Sequence, residues 1–267
     1  MVGFATLPYI NQRLSGEQVT IEMAEETKDP MHVLIRGAAA LGLDLSPQQV
    51  EQFRLFQESL LDWNRRINLT SIDDPSEVQR LHFLDSLTLC QAMPQATSGG
   101  LRVLDVGTGA GFPGLPVKLA MPSASLALIE STGKKVRFLE HLIGLLRLDD
   151  VEIYQGRAED LAHVPGLRSA FDVVTARGLA SLNVLAELTL AFCRVGGRVL
   201  LPKKGRLDRE MWQARGALQT LGGRLVESRP VTLEGLRDDR CILVIEKERE
   251  TPSQYPRRPG IPHKRPL

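Results

Sequence analysis

The feature that most constrains the fold is the stretch from 101 to 114, which reads L-R-V-L-D-V-G-T-G-A-G-F-P-G. It begins with a short apolar run typical of a buried parallel strand, and it ends in four closely spaced glycines. Glycine permits tight turns and lets a ligand approach the main chain without an intervening Cβ. Pro113 and Pro116 follow where a first helical turn tolerates proline. The stretch therefore predicts the strand, glycine loop and helix of a Rossmann-like nucleotide-binding corner.

An acidic residue precedes the glycines, which gives the pattern D-x-G-x-G-x-G over Asp105, Gly107, Gly109 and Gly111. A dinucleotide binds at such a corner through an anionic pyrophosphate, which a neighbouring carboxylate would repel. S-adenosylmethionine has no phosphate and carries a cationic ammonium and a cationic sulfonium, so Asp105 favours this cofactor over NAD. The alternative is a carboxylate that only caps the helix after a tight turn. That interpretation leaves the alternating glycines unexplained.

The composition excludes several classes of protein. The chain has 267 residues, of which 43% are hydrophobic and 24% charged, as in soluble globular proteins. Because its net charge is only +1, any nucleic-acid surface must be a local patch. The sequence shows no bilayer-spanning apolar run, no signal-peptide pattern and no metal-ligand spacing among its cysteines. We therefore expect a cytoplasmic protein with no membrane partner and no bound metal.

The first third of the chain divides into two segments. Residues 1–30 lack sustained periodicity and are predicted to be a disordered leader. Residues 31–95 carry helical signals, because Ser46-Pro47 and Asp74-Pro75 are caps followed by proline and apolar residues recur every three or four positions. This second segment is predicted to be a helical appendage packed against the later core.

From residue 96 to residue 250 the pattern alternates between apolar strands and amphipathic helices, which predicts a parallel sheet covered by helices. Two adjacent strands close this region, at 224–229 and 241–246, and they suit an antiparallel edge. The predicted fold class is α/β: a Rossmann-like class I methyltransferase sheet, mostly parallel, with an N-terminal helical appendage.

The last segment, residues 251–267, has five prolines and four basic residues and no acidic side chain. This composition predicts an extended, mobile tail. Arg257 and Arg258 are candidates for phosphate contacts with a nucleic acid, and a solvated tail without function is the alternative. On either interpretation, removal of residues 252–267 is expected to leave cofactor binding intact.

Further candidate ligand residues follow strand ends at the edge that carries the glycine loop. Glu130 ends the second strand and is placed to accept hydrogen bonds from ribose hydroxyls, unless it is an exposed loop acid. Ala158 and Glu159 follow the third strand, where a loop borders the adenine. Arg177 follows the fourth strand and is expected to face the methionine carboxylate or the nucleic acid, with a surface arginine as the alternative.

Candidate RNA contacts lie outside this loop. Asn68 and His82 are polar residues among apolar ones, and the step of three from His82 to Asp85 lets these two side chains meet on one helical face. A structural pair is the alternative for them. Lys203 and Lys204 follow the fifth strand and suit phosphate contacts, although such a lysine pair is usually a solvated face.

The loop after the fourth strand reads T-A-R-G-L-A-S and lacks the N/D-P-P-Y that holds an exocyclic amine in many nucleic-acid methyltransferases. No cysteine stands in a site loop to attack a pyrimidine carbon. Both observations favour a ring nitrogen with a free lone pair, such as guanine N7. Because this atom needs no proton removed, positioning supplies most of the catalysis, and no residue is assigned as a catalytic base.

Five motifs resemble, in their order, those of the bacterial RsmG family, also called GidB: W-N-R-R-I-N-L-T-S, R-L-H-F-L-D-S-L, L-D-V-G-T-G-A-G-F-P-G-L-P, K-K-V-R-F-L and A-R-G-L-A-S-L. The resemblance runs from about Met31 to the end. It implies methyl transfer from S-adenosylmethionine to guanine N7 of small-subunit (16S) ribosomal RNA, free or in an assembling particle. It also implies cofactor contacts at Gly107, Phe112, Ala158, Glu159 and Arg177.

We expect a monomer. Two other functions stay open at this point: a methyltransferase that acts on a small molecule or a protein, and a non-enzymatic regulator that binds S-adenosylmethionine. An RNA methyltransferase should bind RNA with an affinity that falls steeply as salt is added, which distinguishes it from the first of these. A methyl-transfer assay distinguishes an enzyme from the second.

Overall fold

A computed structural model describes residues 29–95, 100–236 and 238–267. The predicted leader, residues 1–30, lies outside the described residues except for its last two. Within the described ranges, none of the helices combines the length and the apolarity needed to cross a bilayer.

Two helices open the described chain, α1 at His32–Ala40 and α2 at Pro47–Ile67. The start of α2 is the predicted one. Ser46 accepts a hydrogen bond from the Gln49 backbone N–H, and the Gln49 side chain accepts one from the Ser46 N–H, so the two form a capping box.

A third helical segment, α3, is not uniform. Asp74 caps it by accepting a hydrogen bond from the backbone N–H of Glu77, as the sequence predicts. The segment is then α-helical at Pro75–Val78, π-helical at Gln79–Leu84, α-helical at Asp85–Leu87 and 3-10 at Thr88–Ala92. A π-turn holds more residues per turn than an α-turn, and such turns are frequent at functional sites.

Seven strands form one sheet in the order β3-β2-β1-β4-β5-β7-β6. Strands β1 to β5 pair in parallel, and β7 runs antiparallel between β5 and β6. This confirms the predicted Rossmann-like sheet with an antiparallel pair at one edge. The strands are Arg102–Val106, Ser125–Glu130, Val151–Gln155, Phe171–Thr175, Cys193–Lys204, Gly223–Pro230 and Arg240–Lys247.

Helices cover both faces of the sheet, and alternate strand residues such as Val103 and Leu104 contribute to separate apolar clusters. One cluster joins α1, α2 and α3 to the sheet through buried aromatic rings such as Phe53 and Phe56. The helices of residues 31–95 therefore place α3 beside the sheet. The later helices, α4 to α10, are Gly114–Ala120, Gly133–Leu146, Ala158–Leu161, Leu182–Leu190, Asp208–Gln213, Arg215–Leu221 and Ile261–Lys264.

The C-terminal tail packs against the body of the protein, so the prediction of an extended tail is wrong. The Arg168 guanidinium donates hydrogen bonds to the backbone carbonyls of Thr251, Pro252 and Tyr255 at 2.7, 3.2 and 2.9 Å. A proline-rich segment has few internal hydrogen bonds, so its carbonyls are available to donors from the rest of the chain. Composition alone does not show that such donors are present.

Candidate cofactor and acceptor site

The glycine loop lies where the sequence places it, between β1 and α4. Gly107, Gly109 and Gly111 have φ angles of 67°, 61° and 93°, in the left-handed region that favours glycine. A Cβ at Gly109 would meet only the Lys135 Nζ, at 4.0 Å. The space beside this main-chain position is therefore open to a ligand.

Asp105 lies beneath the loop and does not face the cavity in front of it. Its Oδ2 accepts hydrogen bonds from the Thr108 hydroxyl at 2.6 Å and from the Gly114 N–H at 2.9 Å. Burial raises the pKa of Asp105 to about 6, against the lowering effect of these two hydrogen bonds. Among the described residues no donor reaches its buried Oδ1. The capping alternative thus accounts for Oδ2, and Oδ1 is a buried acceptor that does not reach the cavity.

Glu130 connects β2 to the glycine loop. Its Oε2 accepts a hydrogen bond from the Gly109 N–H at 3.0 Å, and its Oε1 accepts one from the Thr132 N–H at 2.7 Å. The residue is only 5% exposed, so the alternative of an exposed loop acid is wrong. Each carboxylate oxygen keeps a second lone pair, which a ribose hydroxyl can use.

A cavity of about 320 Å³, here called the cofactor cavity, opens in front of the loop. Glu130 lines it together with apolar side chains and with the basic Lys135 and Arg157. The acid and the apolar side chains suit the ribose and the base of an adenosine. The lining includes four of the predicted cofactor residues, namely Gly107, Glu130, Ala158 and Glu159.

The Glu159 carboxylate is fixed by two donors. Its Oε1 accepts hydrogen bonds from the Arg157 guanidinium at 3.2 Å and from the backbone N–H of Gly260 at 3.0 Å. Burial opposes ionisation, but these hydrogen bonds outweigh it and hold the pKa of Glu159 below its usual range. Glu159, which the sequence predicts beside the adenine, therefore also contacts the C-terminal tail.

We expect Glu130→Ala to weaken S-adenosylmethionine binding by about 1–3 kcal/mol, because it removes the ribose acceptor and leaves the Gly109 N–H unpaired. Calorimetric titration measures the change. Glu152→Ala is the matched control, because Glu152 lies on neighbouring β3 outside the cofactor cavity. Equal affinity of wild type and Glu130→Ala contradicts this assignment, and tight NADH binding by the wild type contradicts the argument from Asp105.

A second cavity of about 430 Å³, here called the acceptor cavity, lies between α3 and the ends of β4, β5 and β7. Asp85 holds two arginines at its wall. Asp85 Oδ2 accepts a hydrogen bond from Arg177 Nη1 at 2.6 Å, and its Oδ1 accepts one from Arg240. Arg240 also pairs with the carboxylate of Asp238, so Arg177 is the arginine at this wall that suits an anionic or electron-rich ligand.

His82 belongs to the same group of side chains. Its Nε2 lies 2.7 Å from the Thr70 hydroxyl, and its Nδ1 lies 3.4 Å from Arg177 Nη2. Because a guanidinium only donates, Nδ1 accepts and Nε2 carries the proton. Burial, followed by the charge of Arg177, lowers the pKa of His82 to about 4. The imidazole is thus neutral and both of its nitrogens are occupied. The predicted partners His82 and Asp85 both contact Arg177.

The Phe112 ring forms the floor of this group and does not line the cofactor cavity. It stacks on His82 with ring centres 4.5 Å apart and on Phe56 with ring centres 5.1 Å apart. The Arg177 guanidinium carbon lies 5.3 Å from its centre, in a cation–π contact. Arg177 lines the acceptor cavity, so its position favours the nucleic-acid side among the predicted alternatives.

The remaining candidate RNA contacts have different surroundings. Lys203 Nζ donates to Glu210 at 2.6 Å and to the Ala180 carbonyl at 2.9 Å, so its charge is paired, whereas neighbouring Lys204 is exposed. Asn68 is exposed and has a left-handed conformation at the end of α2. Both lysines line the acceptor cavity.

The two tail arginines also differ. Arg257 pairs with the fully buried Glu187 through its backbone N–H and its guanidinium, so it is not available for a phosphate. Arg258 is exposed.

Sequence reasoning missed three contributors to the site. Arg240 contacts Asp85, but no motif surrounds it in the sequence. Thr70 contacts His82, although the motif that contains it does not indicate this contact. His263 lines the cofactor cavity from the C-terminal tail. The tail reads Y-P-R-R-P-G-I-P-H-K-R-P and lies within the span of the family resemblance, which is the signal available for His263.

Comparison with known proteins places this arrangement in a family. Residues 49–235 match the family profile described as rRNA small subunit methyltransferase G. Proteins of that name in Dehalococcoides mccartyi and Roseiflexus castenholzii are 47% and 44% identical over 237 residues, which is 89% of this chain and 100% of each relative. The Lactobacillus johnsonii protein is 38% identical over 88% of this chain and 98% of its own length. The chain belongs to the GidB family of rRNA small subunit methyltransferases.

Proposed function

We propose that this chain transfers a methyl group from S-adenosylmethionine to N7 of a guanine in small-subunit (16S) ribosomal RNA. The observation that carries the proposal is the loop after β4, which separates the two cavities. Leu179 lines the cofactor cavity, whereas Arg177 and Ala180 line the acceptor cavity. Donor and acceptor thus approach each other across a few residues of main chain.

The residues at the cofactor cavity fit S-adenosylmethionine. The open space beside Gly109 admits a ligand against the main chain, and Asp105 beneath the loop fixes this main chain through its hydrogen bonds with Thr108 and Gly114. Glu130 is placed for the ribose hydroxyls, and Ala158 and Leu188 form an apolar wall for the base. When bound, S-adenosylmethionine supplies a methyl group whose bond to sulfur breaks as guanine N7 forms the new carbon–nitrogen bond, with no proton transfer.

The acceptor cavity suits such a reaction because the possible bases among its described lining residues are already paired. Asp85 is occupied by two arginines, His82 is neutral with both nitrogens engaged, and Glu210 accepts from Lys203. The work of these side chains is to hold Arg177 in place. An arginine often reads guanine through both O6 and N7, but a donor on N7 would block its lone pair. Arg177 must therefore bind O6 or a phosphate and leave N7 free to react.

The same proposal extends to the partner and the place of action. Exposed Lys204 and Arg258 supply phosphate contacts, and the substrate is free ribosomal RNA or an assembling particle. We propose that the protein acts in the cytoplasm, because ribosomal RNA is made and assembled there in bacteria, and the expectation of a monomer stays a proposal.

We expect 7-methylguanosine as the one new nucleoside when the protein, methyl-labelled S-adenosylmethionine and 16S ribosomal RNA react in vitro. Nuclease digestion and mass spectrometry identify the product. The matched control is a transcript with 7-deazaguanosine in place of guanosine, which lacks the accepting nitrogen and should take up no methyl group. A methyl group on an exocyclic amine, a ribose hydroxyl or a pyrimidine carbon contradicts the proposal.

A further inference from the structure

We propose that the C-terminal segment 251–267 is a wall of the cofactor site, with His263 as the side chain that contacts the adenine. This inference rests on the proposed function, because it assumes that S-adenosylmethionine occupies the cofactor cavity. The composition predicts instead that the tail binds RNA or has no function, and that its removal leaves cofactor binding intact.

The tail meets the cofactor cavity at the adenine side. Gly260 donates its backbone N–H to the buried carboxylate of Glu159 at 3.0 Å, and Glu159 itself lines the cavity. His263, on the short helix α10 that begins after Gly260, lines the cavity together with Ala158 and Leu188. The base therefore enters a space bounded on one side by β2 and α6 and on another by the tail.

Strong contacts upstream hold the segment in this place. Arg257 makes three hydrogen bonds to Glu187, at 2.8, 2.9 and 2.6 Å, and Glu187 is fully buried on α7. His163, which follows α6, donates from Nε2 to the Pro256 carbonyl at 2.9 Å. A buried carboxylate without its cation would be strongly destabilising, so the Arg257 contact fixes the tail as part of the native fold.

The chemistry of His263 suits a purine. The base of S-adenosylmethionine offers an aromatic face and polar edges, and an imidazole can stack on the face or hydrogen-bond to an edge. Among the described residues that line the cavity, His263 is the one with an aromatic ring. His263 is itself exposed and belongs to no buried cluster, so its substitution tests the ligand contact without disturbing the core.

The test is calorimetric titration of the full chain with two probes, S-adenosylhomocysteine and 5′-methylthioadenosine, which share adenosine but differ in the amino-acid part. We expect His263→Ala to raise the Kd for both probes by the same factor, about tenfold, which is typical of a lost aromatic contact with a base. Deletion of residues 260–267 removes His263 and the hydrogen bond from Gly260 to Glu159 but keeps the contact of Arg257 with Glu187. This deletion should raise the Kd for both probes at least as much as His263→Ala does. Lys264→Ala, an exposed neighbour that does not line the cavity, is the matched control and should bind as wild type.

The outcomes separate this inference from the proposed function. If the wild type binds S-adenosylhomocysteine and His263→Ala binds both probes equally well, the inference is overturned while the proposed function stands. A loss confined to S-adenosylhomocysteine places His263 at the amino-acid end and also overturns it. If the wild type binds neither probe, the cofactor assignment itself fails.

Discussion

We expect Gly107→Val to abolish detectable binding of S-adenosylmethionine while the protein remains folded. Gly107 has a φ angle of 67°, a region that a β-branched residue rarely adopts, and the strain costs about 1–3 kcal/mol. A Cβ at this position would lie 2.7 Å from Leu179 Cδ1, and the valine methyl groups would add to the crowding at the cavity wall. Both effects act where the ligand meets the main chain.

Calorimetric titration measures the loss of binding, and circular dichroism checks that the secondary structure is kept. Gly144→Val is the matched control. Gly144 lies in α5, where an added Cβ meets nothing within 4 Å, so this variant should bind the cofactor as the wild type does. Wild-type affinity in Gly107→Val would show that the cofactor binds elsewhere.

The second large effect is expected on methyl transfer. Arg177→Met should lower kcat/KM for ribosomal RNA by about 100-fold, the size of effect that follows from a misplaced reactant, and should leave the cofactor Kd unchanged. The methionine keeps most of the side-chain volume over Phe112 but cannot donate a hydrogen bond to the RNA. It also leaves Asp85 with Arg240 as its remaining partner.

Transfer of labelled methyl groups to 16S ribosomal RNA measures kcat/KM, and calorimetry measures cofactor binding in the same preparation. Arg198→Met is the matched control, because this partly exposed arginine on β5 pairs with Glu246 outside both cavities. If Arg177→Met instead loses cofactor affinity, Arg177 binds the methionine carboxylate. Undiminished transfer would exclude Arg177 from both roles.

The strand, loop and helix around the cofactor were predictable because their signals are local. The apolar run before Asp105 and the glycines after it each constrain the backbone at their own positions, and Glu130 ends the strand that pairs with β1. The acceptor cavity was not predictable in this way. Asp85, Arg177 and Arg240 converge from three distant parts of the chain, and only the packing of α3 against the sheet brings them together.

The prediction for the C-terminal tail was wrong for a different physical reason. The composition of the tail indicates correctly that it has no core of its own. It does not indicate which hydrogen-bond donors and acceptors the rest of the chain offers to the tail. Glu187 appears in the sequence as one acid in an apolar helix, and Arg257 appears as one base in a basic segment. Their pairing depends on the position of α7 beneath the tail.

The π-helical turn at Gln79–Leu84 has a consequence for how this enzyme can vary during evolution. Each residue added to or removed from an α-helix rotates everything beyond it by about 100°. A π-turn absorbs one such residue, so the parts of α3 before and after it keep independent phases. Loss of that one residue would let the segment return to α-helical turns, while Asp85 and the buried Leu87 beyond it keep their direction. The turn is therefore a point where a single insertion or deletion can be absorbed without moving Asp85 from its arginines or Leu87 from the core.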